Sequence, residues 1–145
     1  MTYVNGDVYY GMWLCGEKSG KGTYEYSNGD VYTGEWKADE KDGNGKFEME
    51  NGDSYEGEWR DGKKYGSGIY YFHNGDVYEG YFIDGLRNGK GIYVWSDKSS
   101  YNGEWEKDRM NGKGIYYPKE EQAPFLMGYF ENDEFIKEEE AEREI

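Results

Sequence analysis

Cysteine, histidine and proline are nearly missing from this chain of 145 residues, which holds one Cys, one His and two Pro. A single cysteine, Cys15, excludes an intrachain disulfide framework, and a lone thiol suits a reducing compartment. With His73 as the one histidine, no Cys/His cluster has zinc-ligand spacing. Long apolar runs are absent too. No stretch approaches the roughly 18 apolar residues of a membrane-spanning helix, and the opening Met1-Thr2-Tyr3-Val4 has neither the basic nor the apolar region of a signal peptide. The expectation is a soluble, cytoplasmic protein. Positive charge is scarce as well: the formal net charge is −14, and residues 131–145 hold 8 acidic against 2 basic side chains. That balance lacks the basic field that nucleic acid or an anionic membrane surface requires and favours basic or neutral partners.

Few aliphatic residues and a high net charge can mark a chain that stays disordered. Aromatic content of 19%, with 17 Tyr and 23 Gly, opposes that, because the aromatics and glycines are periodic. Tyr9, Tyr32, Tyr55, Tyr78 and Tyr101 lie 23 residues apart. Gly11, Gly34, Gly57, Gly80 and Gly103 follow two residues later, then Trp13, Trp36, Trp59, Phe82 and Trp105. Paired glycines (Gly20/Gly22 through Gly112/Gly114) and Asn-Gly-Asp at 5–7, 28–30, 51–53 and 74–76 complete the unit. A fixed period of this length marks a repeat array. Its limits are 1–133, with a partial copy at 3–8, repeats at 9–31, 32–54, 55–77, 78–100 and 101–125, and a degenerate copy at 126–133. Residues 134–145 are an acidic tail or a capping helix.

Within a unit, Tyr, Gly and Trp at i, i+2 and i+4 share one face of an extended strand. Asn-Gly is the preferred signal for a tight type I′ hairpin turn. The second connection, Cys15–Ser19 and its equivalents, reads as longer, with Gly16, Asp39, Gly62, Gly85 and Asp108 at a position suited to left-handed φ. The glycine between two rings on one face lets aromatics from neighbouring strands lie over bare backbone. One hairpin alone would be marginal, whereas a stack is not.

Tyr55-Glu56-Gly57-Glu58-Trp59, Gly62, Gly66-Ser67-Gly68 and Asn74-Gly75-Asp76, on this period, resemble the MORN repeat (membrane occupation and recognition nexus). The resemblance covers about residues 3–133. It implies an all-β fold, an elongated single-layer twisted antiparallel sheet of hairpins with an aromatic groove, to which the helix-forming composition of residues 134–145 leaves room to add a short C-terminal helix. It further implies a non-catalytic scaffold or adaptor in a cytoskeletal or ciliary assembly, of the axonemal, radial-spoke kind, that binds a helical or extended segment of a protein partner. Two alternatives stay open: a peripheral, phospholipid-associated module, which the acidic charge opposes, and an array that regulates an enzyme. Departures fall near the end: Phe82 replaces Trp, Ser96–Ser100 lacks Asn-Gly-Asp, and Leu126 replaces Tyr after Pro118–Pro124.

Alternation assigns two faces. Groove candidates on the motif face are Tyr32, Trp36, Phe47, Tyr55, Trp59, Tyr70, Tyr78, Phe82, Tyr93, Tyr101 and Trp105. The same rings also serve simply to hold the repeats together. On the opposite face Ile69, Tyr71, Tyr81, Ile83, Ile92, Val94, Ile115 and Tyr117 form an apolar patch. Cover by Phe135, Ile136 and Ile145, self-association, or a foreign partner would each account for it. The N-terminal edge strand, flanked by Tyr10, Met12 and Leu14, is a second route to self-association. No cofactor or metal is expected. Asp30, Asp53 and Asp76 lack the alternating oxygen ligands of a calcium loop and fit a turn role. Gly-x-Gly without a following helix is not a phosphate cradle.

Overall fold

The structure, a computed structural model, describes residues 1–138. Twelve strands form in chain order: β1 (Val8–Leu14), β2 (Glu17–Glu25), β3 (Val31–Lys37), β4 (Glu40–Glu48), β5 (Ser54–Arg60), β6 (Lys63–Tyr71), β7 (Val77–Ile83), β8 (Leu86–Val94), β9 (Ser100–Glu106), β10 (Arg109–Tyr117), β11 (Leu126–Glu131) and β12 (Glu134–Glu138). Each pairs antiparallel with its chain neighbours, so one open sheet runs from β1 to β12 without a crossover. This is the single-layer antiparallel sheet that the family resemblance implies.

The glycines fix the register. One glycine from each of β1 to β11 lies opposite the next, from Gly11 and Gly22 through Gly57 and Gly68 to Gly114 and Gly128. Beside this row runs an aromatic row in which Tyr32, Phe47, Tyr55, Tyr70 and Tyr78 are successive cross-strand partners. The first tyrosine of each hairpin lies flat over the glycine row. A methyl group added at Gly22, Gly45, Gly68 or Gly91 would land in the ring of Tyr9, Tyr32, Tyr55 or Tyr78. Each ring is then capped by its own chain, its hydroxyl donating to the carbonyl three residues on at 2.8–2.9 Å. The close approach expected of the mid-strand glycine is thus present in the first five hairpins.

The two turn classes are the reverse of the sequence expectation. The tight two-residue turns are Cys15-Gly16, Ala38-Asp39, Asp61-Gly62, Asp84-Gly85, Lys107-Asp108 and Asn132-Asp133, with both residues at positive φ. That is the type I′ signature. At Asn-Gly only the glycine is left-handed, as at Gly29 with φ 100°. There the Gly29 N–H donates to the Tyr26 carbonyl at 3.0 Å and the Tyr26 N–H to the Asp30 carbonyl at 2.8 Å, a three-residue loop of type I turn plus bulge. Asn-Gly suits either turn, since asparagine tolerates both conformations; the longer loop wins because it keeps the glycines in register. Ser96–Ser100, without the motif, takes the same path: the Lys98 N–H donates to the Trp95 carbonyl at 2.9 Å, and Lys98 occupies the left-handed position at φ 79°.

Both ends depart from expectation. Residues 134–138, within the segment expected to be a tail or helix, pair with β11 as β12, and residues 139–145, Ile145 included, lie outside the described residues. At the other end β1 is half covered. Tyr9 and Met1 exchange N–H to carbonyl bonds at 2.6 and 2.8 Å, and Thr2 bridges to Val8. The half from Tyr10 to Leu14 stays open, with Met12 61% exposed.

Candidate interaction surfaces on the two faces

The motif face carries the core of the molecule. Successive edge-to-face contacts link Trp36 to Tyr9 and Tyr32, Tyr32 to Trp59, Tyr55 to Trp59 and Phe82, and Tyr78 to Phe82 and Trp105, with ring centroids 5.0–5.6 Å apart. Such pairs each contribute about 0.5–1.5 kcal/mol beyond burial. The ladder ends on Tyr101–Phe130 and Phe130–Phe135. Phe135 therefore completes the motif face and does not serve as cover for the rear patch. Trp36, Trp59 and Trp105 also donate their indole N–H to the carbonyls of Gly22, Gly45 and Gly91 at 3.1–3.2 Å. Phe82 makes the same ring contacts without that bond.

This packing changes the meaning of the groove candidates. All eleven share one face, but Tyr32, Tyr55, Tyr78 and Tyr101 are fully buried, and Trp36, Trp59, Phe82, Tyr93 and Trp105 are nearly so. These nine rings are the core that joins the repeats. Phe47 and Tyr70 remain half-buried, and with Tyr26, Phe72, Trp95 and Tyr116 they form a second row along the Asn-Gly-Asp loops. Tyr26 meets Phe47 at 5.9 Å, Tyr70 meets Phe72 at 4.5 Å, and Trp95 meets Tyr116 at 5.9 Å. Met49 bridges the interval, 3.5 Å from the Tyr70 hydroxyl.

The aspartate of Asn-Gly-Asp does more than turn the chain. The asparagine closes the loop: Asn51 Oδ1 accepts the Asp53 N–H at 2.9 Å. Asp53 reaches the next repeat, accepting the Tyr70 hydroxyl at 2.7 Å and the His73 N–H at 2.7 Å. Asp7 with Tyr24 and Ser27, and Asp76 with Tyr93 and Ser96, repeat the arrangement. Burial pushes the Tyr24, Tyr70 and Tyr93 phenols up, and the neighbouring carboxylates push them further. Burial alone would raise Asp53, yet the bonds from Tyr70 and His73 hold it below its ordinary 3.8. Among the described residues no group of three or more His, Cys, Asp or Glu is placed to hold a metal ion.

A row of cations, missed in the sequence, lies among these rings. Lys18, Lys41, Lys64 and Arg87 recur at the period of the repeat and stand cross-strand from Trp13, Trp36, Trp59 and Phe82. The Lys41 ammonium is 5.0–5.5 Å from the ring centres of Tyr26, Tyr32, Phe47 and Trp59. Lys64 is 5.2–5.9 Å from those of Tyr55, Tyr70 and Phe82, and Arg87 is 4.7 Å from Trp105. These are cation–π distances. Burial lowers the pKa of Lys41 and of Lys64 below 10.5. The recurrence at 18, 41, 64 and 87 was the available signal. In the fifth repeat the position is Met110.

Among the described residues the opposite face is uncovered. Tyr71, Tyr81, Ile83, Ile92 and Tyr117 are 41–54% exposed, while Ile69, Val94 and Ile115 are half-buried in the sheet surface. Phe125, set 5.9 Å from Tyr117, and Met127, opposite Ile115, extend the patch. Ile136 is itself 53% exposed, so among the described residues nothing lies over this face.

Comparison with known proteins agrees with the repeat geometry. The MORN repeat family model matches residues 9–31, 32–54, 55–77, 78–100 and 101–119. No curated protein matches. Among solved structures, the chain is similar to the SAS-4 (dCPAP) TCP domain of Drosophila melanogaster, solved in complex with a proline-rich motif of Ana2 (dSTIL). The identity is 16% and the TM-score 0.37, over 90% of this chain and 82% of that one. MORN repeats suggest a binding or scaffold role and are generally non-catalytic. On the strength of five consecutive repeats built on one register, this chain belongs to the MORN-repeat family.

Proposed function

We propose that the protein is a non-catalytic scaffold that holds a segment of a protein partner against the second aromatic row of the motif face. The observation that carries this reading is the row itself: Tyr26, Phe47, Tyr70, Phe72, Trp95 and Tyr116 remain half-buried on a face that no second layer covers among the described residues. Half-exposed aromatics with polar neighbours are the composition of interface cores. They differ from the first row, whose rings are consumed by packing. A cytoplasmic setting in a cytoskeletal or ciliary assembly is the context the family resemblance suggests. The test is affinity capture from the native cell with wild-type protein, with Phe72→Ala, and with the rear-face double variant Tyr81→Ser/Ile92→Ser. A partner set lost with Phe72→Ala and kept by the rear variant supports the reading. The opposite pattern moves the site to the rear patch and overturns it.

A further inference from the structure

Two of the four cations are already neutralised, and two are not. Lys18 lies 3.2 Å from Asp39, and Arg87 lies 3.0 Å from Asp108. In both, one aspartate oxygen also accepts the main-chain N–H of the cationic residue, at 2.7 and 2.8 Å. The aspartate comes from the tight turn of the following repeat. At that position Lys41 and Lys64 meet Gly62 and Gly85. Neither ammonium has a carboxylate within ion-pair distance or a hydrogen-bond acceptor among the described residues. Space for an acceptor exists, because nothing lies within 4 Å of where a Cβ would stand at Gly62 or Gly85. Beside Lys64 that space is an open pocket of about 160 Å³, bounded by Tyr70, Phe72, Phe82, Gly85, Arg87 and Asp108, and the Asp108 carboxylate there is already bonded to Arg87.

From this we infer that Lys41 and Lys64 form a paired carboxylate subsite at the centre of the strip, and that the occupant is an acidic segment of a protein partner. This deepens the proposed function and rests on it. The chemistry is defined by the molecule's own clamps, since the group seated on Lys18 and Arg87 is a carboxylate. A half-buried ammonium among rings is poorly hydrated, and a charge-assisted bond to a carboxylate completes it. The chain is strongly acidic, and Asp30 stands near Lys41 and Asp108 and Asp53 near Lys64, yet none of these carboxylates comes within ion-pair distance of either ammonium. An acidic occupant differs from the basic or neutral partners expected from net charge. Lys41 and Lys64 are two strands apart, roughly 9.5 Å at about 4.8 Å per strand. Acidic residues at i and i+7 of a helix lie about 10.5 Å apart on one side, so a helix crossing the strands would bring one carboxylate to each lysine.

The probe is a capped synthetic helical peptide of three heptads carrying Leu and one Glu per heptad, with a Gln-substituted twin. Both are titrated against the full chain by fluorescence anisotropy. The Glu peptide is expected to bind at least tenfold more tightly than its twin. Gly62→Asp/Gly85→Asp closes both lysines with aspartates of the kind the outer repeats already hold at positive φ, at Asp39 and Asp108. It is expected to lose at least tenfold in affinity without loss of Tm, and Lys41→Gln/Lys64→Gln is expected to lose the same. Equal binding of the two peptides, no binding of the Glu peptide at millimolar concentration, or unchanged binding by the aspartate variant would overturn the subsite. So would lysine-dependent binding of phosphatidylserine vesicles with none of the peptide, which would make the occupant a lipid. Native-cell capture separates this from the parent reading: partners lost with Phe72→Ala but kept by Lys41→Gln/Lys64→Gln leave the scaffold and remove the subsite.

Discussion

The cations of hairpins one and four differ from those of hairpins two and three in one residue of the following hairpin's tight turn, Asp39 and Asp108 against Gly62 and Gly85. All four hairpins place a cation among aromatic rings on the same register. In the first and fourth, Asp39 and Asp108 seize that cation and its main-chain N–H, so the charge is spent inside the array. In the second and third, Gly62 and Gly85 leave it available. The backbone does not notice the exchange, because both Gly and Asp occupy left-handed φ, 80° at Gly62 and 69° at Asp39. A repeat array can thus keep one scaffold while deciding, unit by unit, whether a side chain serves cohesion or binding.

The largest effects should fall on the scaffold and ignore this distinction. Gly22→Ala in a clamped hairpin and Gly68→Ala in an open one each force a methyl group into a buried tyrosine ring. Each should cost about 3 kcal/mol in denaturant melts, and equally; a large difference would show that clamped and open repeats are not the same structure. Next comes the clamp itself. Asp108→Gly removes the acceptor of two Arg87 bonds from a half-exposed pair, so a loss of about 1 kcal/mol is expected in the same melts. A matching gain of Glu-peptide affinity near Arg87 would mark conversion to an open repeat. Lys98→Gly, at the one loop where a lysine takes the glycine's φ of 79°, should raise stability by about 1 kcal/mol; no gain would mean that Lys98 has a compensating role.

Acid should loosen the first clamp. The Lys18 main-chain N–H, then its ammonium, hold the Asp39 carboxyl below 3.8. Its contribution is full above pH 3.8 and is lost as pH falls through the lowered folded value. Between those pH values wild type should lose stability more steeply than Asp39→Gly in parallel melts, and identical slopes would remove the clamp from the account.

The repeat, the strand assignment, the faces and the glycine–tyrosine packing were all legible, because each depends on local period and on steric facts that hold in any context. The turn classes were not. Asn-Gly fits both a two-residue and a three-residue loop, and cross-strand register between distant glycines decides between them. Nor was the destination of Phe135, which composition read as part of a tail and which the ladder through Phe130 takes as its last ring. Asp53 passed as a turn residue because its partners, Tyr70 and His73, stand 17 and 20 residues away. The cation row was visible as a recurrence but carried no meaning until the sheet set each lysine among its rings. The candidate site shifted for the same reason: which rings are sealed follows from how repeats stack, and a single repeat's pattern does not contain it.

The most direct test of the distinction between clamped and open repeats follows the lysine side chains themselves, by NMR of Lys Nζ and Cε in the full chain during titration with the Glu peptide. Shifts are expected at Lys41 and Lys64, with little change at Lys18 and loss of the shifts in Gly62→Asp/Gly85→Asp. Shifts at Lys18 as large as those at Lys41, or none at either open lysine, would contradict the distinction.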